Sequence, residues 1–251
     1  MFPEIKGWGL EYSSRRVQAG EIILDHLPEL SPAHGESLGR HFSQTIEEGI
    51  TRKGLFKLAL FFFEPEEAGA LTPRGEPSGF LEHQQGKLSV ASLVAERMRL
   101  SRRSLRILSY LAPGHSMMQN LFQAREFTPL AKYHFFRDGG EEAIGALFLA
   151  LAAALVLERV DLRWPWGSPL SNNFKRLEKI ITELLDYYYG EFSLKSPRPL
   201  LSGKEIMEAL KILQSKTVGE LLTQLREAEI EGIVHNREEA LEFLKGRRSR
   251  K

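Results

Sequence analysis

The chain has 251 residues, a formal net charge of +1, 42% hydrophobic and 27% charged residues, and no cysteine. This composition is typical of a soluble globular protein with one large or two modest cores, and it excludes disulfides and thiolate metal sites. A net charge near zero gives no overall attraction to nucleic acid, so any basic surface must be local. Met1 is followed by Phe-Pro-Glu rather than by a basic and then apolar run, so we expect no secretion signal and a cytoplasmic location.

Hydrophobic spacing predicts helices through nearly the whole chain, and no segment alternates convincingly between apolar and polar residues. We therefore predict an all-α fold with little β-structure. The predicted helices cover residues 15–27, 36–49, 54–63, 86–98, 102–111, 141–158, 172–189, 203–213, 218–231 and 237–245. Residues 64–81 and 159–172 are predicted to be connectors because Gly and Pro are frequent in them.

One segment is as apolar as a membrane-spanning helix. Residues 144–157 carry no charge and lie between Glu142 and Glu158. A spanning helix needs about 20 apolar residues, more than this segment has. We predict a helix buried on all sides at the centre of a helical domain, and no membrane contact. Gly139 and Gly140 are predicted to form the turn before it.

The last part of the chain is predicted to be a separate helical domain. Residues 194–199 (LKSPRP) contain two prolines that prevent a helix, so we place a boundary near residue 196 and expect domains at 1–196 and 197–251. Three N-cap residues each precede a glutamate by three positions, and two glycines mark expected helix ends. These are Ser202 with Glu205, Thr217 with Glu220, Asn236 with Glu239, and then Gly232 and Gly246.

Two motifs bound this tail, PLLSG at residues 199–203 and REEAL at residues 237–241. They resemble the C-terminal tail of bacterial tRNA nucleotidyltransferases and poly(A) polymerases. Segments of the body are similar to the HD-type domain of the same family, namely residues 2–5, 58–64, 80–84, 91–109 and 130–156. The resemblance implies an HD-derived helical body followed by a small helical tail.

Active HD-type phosphohydrolases bind a divalent metal through histidines and aspartates. The resemblance places Phe63 and Glu64 at the histidine–aspartate motif and Ala153 at the last aspartate, so that of the family's ligands His83 and His115 remain. We therefore expect no metal in this chain. A rearranged site around these two histidines, making the chain a metal-dependent phosphohydrolase, is the alternative.

A second metal constellation would consist of His34, His41 and Glu48, spaced seven residues apart. Seven residues are two helical turns, about 10 Å, which is too far for joint coordination. We interpret these residues as polar positions on an amphipathic helix.

Nucleotidyl transfer in the resembled family belongs to an N-terminal head with paired aspartates that hold magnesium. No Asp-x-Asp and no phosphate-binding glycine-rich loop occur in this sequence. The expectation is thus a body and tail without that head, catalysing nothing alone, with magnesium and nucleotide required only by the head. A separately encoded head is a further expected partner, and a non-catalytic helical scaffold for another protein is another alternative.

Two basic clusters are the candidate RNA-binding residues. The first surrounds a predicted helix–helix corner with Ser101 as N-cap, and its members are Arg97, Arg99, Arg102, Arg103 and Arg106. Arginine forks and free helix N–H groups can bind phosphates there, although a solvated face paired with glutamates explains the same pattern. The second is the C-terminal cluster Lys245, Arg247, Arg248, Arg250 and Lys251. We predict salt-sensitive binding of RNA, with tRNA the ligand that the resemblance implies.

Aromatic residues are a third kind of candidate RNA contact, because unpaired bases stack on aromatic rings. The candidates are Tyr187, Tyr188 and Tyr189 at the end of a predicted helix, and Trp164 with Trp166 in a connector. Consecutive aromatic residues on a helix point in different directions, so we favour packing over base stacking for both groups.

Overall fold

The computed structural model describes residues 8–62, 93–111, 127–158, 162, 170–193 and 199–248. These residues are almost entirely helical and contain one two-stranded sheet, which confirms the all-α prediction. The helices are α1 (Trp8–Asp25), α2 (Leu27–Leu30), α3 (Gly35–Ser43), α4 (Arg52–Phe62), α5 (Arg102–Leu111), α6 (Pro129–Gly139), α7 (Glu142–Leu157), α8 (Asn172–Tyr187), α9 (Gly203–Leu210), α10 (Lys216–Ile230) and α11 (Arg237–Arg248). Residues 93–97 are also helical, and a π-helical turn at Tyr188–Phe192 continues α8.

The chain divides into two compact units. The first comprises Met1–Glu126 and Gly139–Asp186, and the second comprises Phe127–Asp138 and Tyr187–Lys251. This division differs from the predicted boundary near residue 196, because the second unit also includes most of α6 and the π-helical turn. Phe136 of α6 packs within that unit against Tyr188 and Phe192, at ring-centre distances of 4.9 and 5.7 Å.

The core of the first unit is built around α7. Residues 143–156 of this helix are all buried, and α1, α4 and α5 pack against it, as predicted for a helix apolar on every side. Phe42 of α3 makes edge-to-face contacts in this core with Phe56 at 5.3 Å and Phe148 at 5.6 Å. None of the described helices alone is long and apolar enough to cross a membrane, and the bent pair of α6 and α7 passes that test only when both are counted together.

A small hairpin replaces the end of one predicted helix. The prediction of a helix over residues 36–49 is wrong after Ser43, where α3 ends. Strands β1 (Thr45–Glu47) and β2 (Ile50–Thr51) pair antiparallel with Thr45 opposite Thr51. Gly49 has φ +74°, which glycine adopts without steric cost, and this allows the tight reversal that ends the helical pattern.

The buried side chain of Arg52 connects the hairpin and α4 to the start of α7. It is 3% exposed, and it donates to Gln44 Oε1 at 2.8 Å, to Glu141 Oε2 at 3.0 Å and to Glu142. Burial raises the pKa of the Glu142 carboxyl, while the Arg52 guanidinium opposes that rise. No local sequence pattern predicts the contacts with Glu141 and Glu142, because these two residues lie about 90 positions from Arg52 in the chain.

The three tail helices α9, α10 and α11 enclose a small core of their own. Its buried members are Leu201, Ile206, Leu210, Leu221, Leu225, Ala228, Val234, Ala240 and Leu244. These residues repeat at helical spacing in the sequence, so each helix contributes one apolar face.

The caps of the tail helices test the predicted start and stop signals. Ser202 and Glu205 form the predicted capping box, with the Ser202 hydroxyl accepting from the Glu205 N–H at 3.3 Å and the Glu205 carboxylate accepting from the Ser202 N–H at 2.7 Å. The Asn236 cap is also present, since its Oδ1 accepts from the Glu239 N–H at 2.9 Å. Gly232 ends α10 with φ +70°, as predicted.

Two of the predicted signals are wrong. The N-cap of α10 is Ser215 rather than Thr217, and its side chain makes no capping hydrogen bond. Gly246 lies inside α11, which continues to Arg248, and it does not adopt a positive φ. In both cases the residue type suits a cap, but the backbone enters or leaves the helix at another position.

The structure also contains a helix, α6, that the hydrophobic spacing does not predict. Thr128 precedes it and its hydroxyl accepts from the Ala131 N–H at 3.2 Å, which is N-cap geometry. The aromatic residues of α6 are spread around the helix rather than confined to one stripe, which obscures the helical period.

Candidate nucleic-acid interface

The first arginine cluster surrounds a tight corner between two helices of the first unit. The helix at residues 93–97 ends with Arg99 in the left-handed region at φ +54°. The Arg99 N–H donates to the Glu96 carbonyl at 3.1 Å, and the Leu100 N–H donates to the Ala95 carbonyl at 2.8 Å. This pair of bonds is a Schellman motif, which reverses the chain without glycine.

Ser101 is the N-cap of α5, as predicted. Its hydroxyl accepts from the Ser104 N–H at 3.2 Å. The Glu47 carboxylate of β1 also lies at this helix start, where it accepts from the Ser101 N–H at 2.9 Å and from the Ser104 hydroxyl. These hydrogen bonds, that from Ser104 first, lower the pKa of Glu47.

The position of Glu47 changes one part of the predicted phosphate site, namely the free N–H groups at the helix start. Two of the N–H groups at the corner, those of Ser101 and Ser104, are satisfied within the protein rather than free. A carboxylate at this helix terminus also competes with any other anion that would bind there. The two N–H groups that Glu47 and Ser101 occupy are therefore not open to a phosphate, and the arginine side chains remain the candidate contacts.

Five exposed arginine side chains lie on α5 and at the corner before it. Arg102, Arg103 and Arg106 are exposed, whereas Ser104, Ile107, Leu108 and Leu111 face the core. Positions 102 and 106 are four residues apart, so they lie on the same side of the helix. Arg97 and Arg99 are also exposed at the preceding corner. We call these five residues the arginine face.

Within the described ranges, no glutamate pairs with the two arginines at the centre of the arginine face. Among the described residues, the side chains of Arg102 and Arg103 take part in no hydrogen bond or ion pair. Arg106 lies close enough to Glu142 to oppose the rise in the pKa of that carboxyl. Arg102 and Arg103 are thus solvent-exposed and have no glutamate partner among the described residues.

The second basic cluster is described only in part. Lys245 is exposed on α11, and Arg247 and Arg248 belong to the same helix. The side chains of these two arginines, together with Arg250 and Lys251, lie outside the described residues.

The second unit contains a cleft that the sequence does not reveal. Its volume is about 720 Å³. It is lined by residues of α6, the π-helical turn, the start of the tail and α10, namely Pro129, Tyr133, Arg137, Tyr187, Glu191, Phe192, Pro199, Leu222, Thr223, Arg226, Glu229 and Ile230. We call it the aromatic cleft. The segments that line it are distant in sequence and come together only through tertiary packing.

Two arginines and one tyrosine form the polar wall of the aromatic cleft. The guanidinium carbons of Arg137 and Arg226 each lie 5.8 Å from the centre of the Tyr133 ring. Arg226 Nη1 donates to Glu229 at 2.7 Å, and Glu229 also accepts from the Leu200 N–H at 3.0 Å. These contacts hold Arg226 in place by linking α10 to the first residues of the tail.

Arg137 is held in a similar way. Its Nε donates to Asp138 at 2.8 Å, and its Nη1 lies 3.4 Å from Glu227 Oε1. The same Glu227 oxygen lies 2.9 Å from His134 Nε2. Burial raises the pKa of the nearby Tyr187 hydroxyl, and the negative charge of Glu191 raises it further.

The tyrosine run packs within the second unit, in agreement with the prediction for this group. Tyr188 lies 5.9 Å from Phe192, and Tyr187 is nearly parallel to Phe136 at 6.2 Å. Tyr189 makes an edge contact with Tyr188 at 5.1 Å. All three are half-buried, so none is fully enclosed. Trp164 and Trp166 lie outside the described residues.

The residues considered for metal binding are not brought together where they are described. His34 Nε2 lies 2.7 Å from Asp186 Oδ1, and His41 packs against Phe42 at 5.1 Å. Burial and then the Arg52 charge lower the pKa of His41 to about 3. Within the described ranges no group of three or more His, Cys, Asp or Glu side chains could hold a metal ion.

The two histidines of the alternative phosphohydrolase site, His83 and His115, lie outside the described residues, as do Phe63 and Glu64. Ala153 is 2% exposed within α7.

The fold defines an all-α protein with a basic corner in one unit and an aromatic cleft in the other. No protein-family model matches the chain. The chain is similar to the CC-adding tRNA nucleotidyltransferase of Synechocystis sp., with 27% identity over 157 residues, or 62% of this chain. The matched region spans 33% of the length of that relative. The similarity supports the predicted relationship to tRNA nucleotidyltransferases.

Proposed function

We propose that this chain binds RNA, with tRNA as its ligand, through the arginine face around α5. The proposal is supported by the similarity to a CC-adding tRNA nucleotidyltransferase. The observation that carries it is the exposure of Arg102 and Arg103, whose side chains pair with no described residue. In this proposal the chain is the RNA-positioning body and tail of a tRNA nucleotidyltransferase-like protein.

The chemistry of the arginine face suits a phosphate backbone. Guanidinium groups are always charged, and their planar forks donate two parallel hydrogen bonds to phosphate oxygens. The protein carries a net charge of only +1, so a local cluster accounts for the attraction better than an overall field does. Phosphate contacts of this kind orient an RNA without reading its sequence.

Catalysis of nucleotidyl transfer is assigned in this proposal to another segment. Paired aspartates that hold two magnesium ions are the usual requirement for that chemistry, and this sequence contains no Asp-x-Asp. The part proposed for the described chain is to hold the RNA while its 3′ end reaches such a catalytic segment. A head carrying those aspartates, in the same protein or a separate one, is the partner that this proposal requires.

Charge reversal at the arginine face tests the proposal. We expect Arg102→Glu/Arg103→Glu to weaken binding of a tRNA transcript at least about tenfold, and the salt slope of log affinity to fall by about 2 as two phosphate contacts are lost. Fluorescence anisotropy across a salt series measures both quantities. Lys175→Glu/Lys179→Glu is the matched control, since it makes the same charge change at exposed positions of α8.

The control variant should keep most of the tRNA affinity. Equal affinity of the native protein and the Arg102→Glu/Arg103→Glu variant at low salt would overturn the proposal. So would the absence of any tRNA binding by the native protein under the same conditions.

A further inference from the structure

We propose that the aromatic cleft of the second unit binds a single unstacked nucleobase of the RNA ligand. This inference rests on the proposed RNA-binding function and assigns it a second contact, separate in chemistry from the arginine face. The arginine face attracts phosphates, whereas the cleft is built to receive a flat, uncharged ring.

The lining of the cleft provides flat surfaces for such a ring. Tyr133, Tyr187 and Phe192 contribute aromatic side chains that are all half-buried rather than enclosed in the core. Bases stack on aromatic rings and on guanidinium planes whatever their identity, because every base has a π-face. A volume of about 720 Å³ is within the range of small-ligand clefts.

The charges of the cleft favour a base over a phosphate. Arg137 and Arg226 are each already paired with carboxylates, and the lining also includes Glu191 and Glu229. Two positive and two negative side chains leave the lining without net charge, so it does not attract an anion. The amino and N–H groups of a nucleobase can donate hydrogen bonds to a carboxylate such as that of the exposed Glu191.

The cleft is held in place before any ligand binds. Glu229 joins Arg226 of α10 to the Leu200 N–H, and Glu227 lies between Arg137 and His134 of α6. Side chains fixed in this way lose little conformational freedom on binding, which leaves more of the stacking energy for affinity.

The test compares two probes of equal length and equal phosphate number. One is a fluorescently labelled six-nucleotide single-stranded RNA, and the other is the corresponding abasic oligomer. We expect the native protein to bind the RNA about tenfold more tightly than the abasic oligomer, since stacking of one base on an aromatic surface accounts for a difference of this size.

A cleft-filling variant locates the effect. Thr223 is an exposed residue of the lining, and Thr223→Trp should occupy the cleft without removing a core side chain. We expect this variant to bind both probes with the affinity that the native protein shows for the abasic one. Thr217→Trp is the matched control, because Thr217 is exposed on the same helix outside the cleft, and it should preserve the preference for bases.

Cross-linking tests independently where the base binds. A 4-thiouridine in the six-nucleotide RNA should form adducts with cleft residues, identified by mass spectrometry, at Tyr133, Tyr187 or Phe192. Adducts confined to other residues, together with an unchanged base preference in Thr223→Trp, would overturn the proposed location.

The two proposals fail in distinguishable ways. Equal affinity of the native protein for both probes would overturn the nucleobase inference while leaving the arginine face intact. Loss of the base preference only in Thr223→Trp, with no effect of Arg102→Glu/Arg103→Glu on tRNA, would support the cleft and overturn the arginine face. Binding of a proline-rich peptide that Thr223→Trp abolishes, without any base preference, would assign the cleft to a protein partner instead.

Discussion

The two units of this protein are stabilised by different means. The first is organised around α7, whose residues 143–156 are buried on every side, and around the buried charge of Arg52. The tail of the second consists of three amphipathic helices with a small core, two of which begin with side-chain caps, at Ser202 and Asn236. The helix starts of the tail depend on hydrogen bonds between residues close in sequence, so their cap residues can be recognised in the sequence. Contacts between distant residues determine the arrangement of the first unit.

The largest expected loss of stability comes from a substitution that breaks the long-range contact of Arg52 in the first unit. Arg52→Ala removes a side chain that is 3% exposed and leaves Glu142, which is 15% exposed, without its partner. Removing one member of a buried ion pair costs about 3–5 kcal/mol of stability, because the remaining charge stays desolvated. Chemical denaturation of the variant and the native protein measures the difference.

Arg40→Ala is the control for that experiment. Arg40 pairs with Glu36 at 3.8 Å, and its side chain is 73% exposed. We expect a change of less than about 0.5 kcal/mol, as is usual for exposed ion pairs and surface substitutions. Similar losses in the two variants would mean that Arg52 contributes no more than a surface arginine, contrary to this prediction.

An intermediate effect is expected from a cap in the tail. Ser202→Ala removes the hydroxyl that accepts from the Glu205 N–H, and loss of such an N-cap costs about 1 kcal/mol. Ser215→Ala is a closely matched control, since Ser215 is the N-cap of the next helix but its side chain makes no capping hydrogen bond. Urea denaturation of both variants should show a clear loss for the first and little change for the second.

The smallest effect is a pH dependence carried by the same cap. Hydrogen bonds from the Ser202 N–H and hydroxyl, together with Arg237, lower the pKa of Glu205 from its ordinary value of 4.5 to about 2. Because the pKa is lower in the folded state, the stabilisation is complete above about pH 4.5 and is lost as the pH falls toward about 2. Thermal unfolding of native protein and Glu205→Gln should therefore differ at pH 6, and the difference should shrink at lower pH.

The control for the pH series is Glu220→Gln. Glu220 is an exposed residue of α10 that lies 4.0 Å from Lys216. We expect Glu220→Gln to change the stability at pH 6 by less than about 0.5 kcal/mol, because an exposed ion pair contributes little. A difference between native protein and Glu205→Gln that stays constant from pH 6 to pH 2 would contradict the lowered pKa.

The predicted site could be read from the sequence only in part. The exposed positions of Arg102, Arg103 and Arg106 follow from the amphipathic pattern of α5, and Ser101 was recognisable as its N-cap. Glu47 at the same helix start was not, because it reaches that point through a hairpin 54 residues earlier in the chain. Tertiary packing thus occupied the Ser101 N–H, which the local sequence pattern leaves free, and left the arginine side chains exposed.

The errors in the fold have the same origin. Gly246 and Thr217 are suitable cap residues, but the neighbouring turns determine where the backbone enters and leaves a helix. The end of the predicted helix at residues 36–49 became a hairpin, since the Gln44 carbonyl accepts from the Arg52 N–H at 2.9 Å and Gly49 permits the reversal. Apart from the unpredicted helix α6 and the hairpin itself, these errors concern element boundaries, and none concerns the class of fold.

What could be known from the sequence is local in character. Apolar spacing specified the buried helix α7, and cap spacing specified Ser202 with Glu205, because each signal involves residues within a few turns of one another. The Arg52 contacts and the aromatic cleft arise only in the tertiary structure. Their members come from segments far apart in the chain, and no periodicity relates them until the helices have packed.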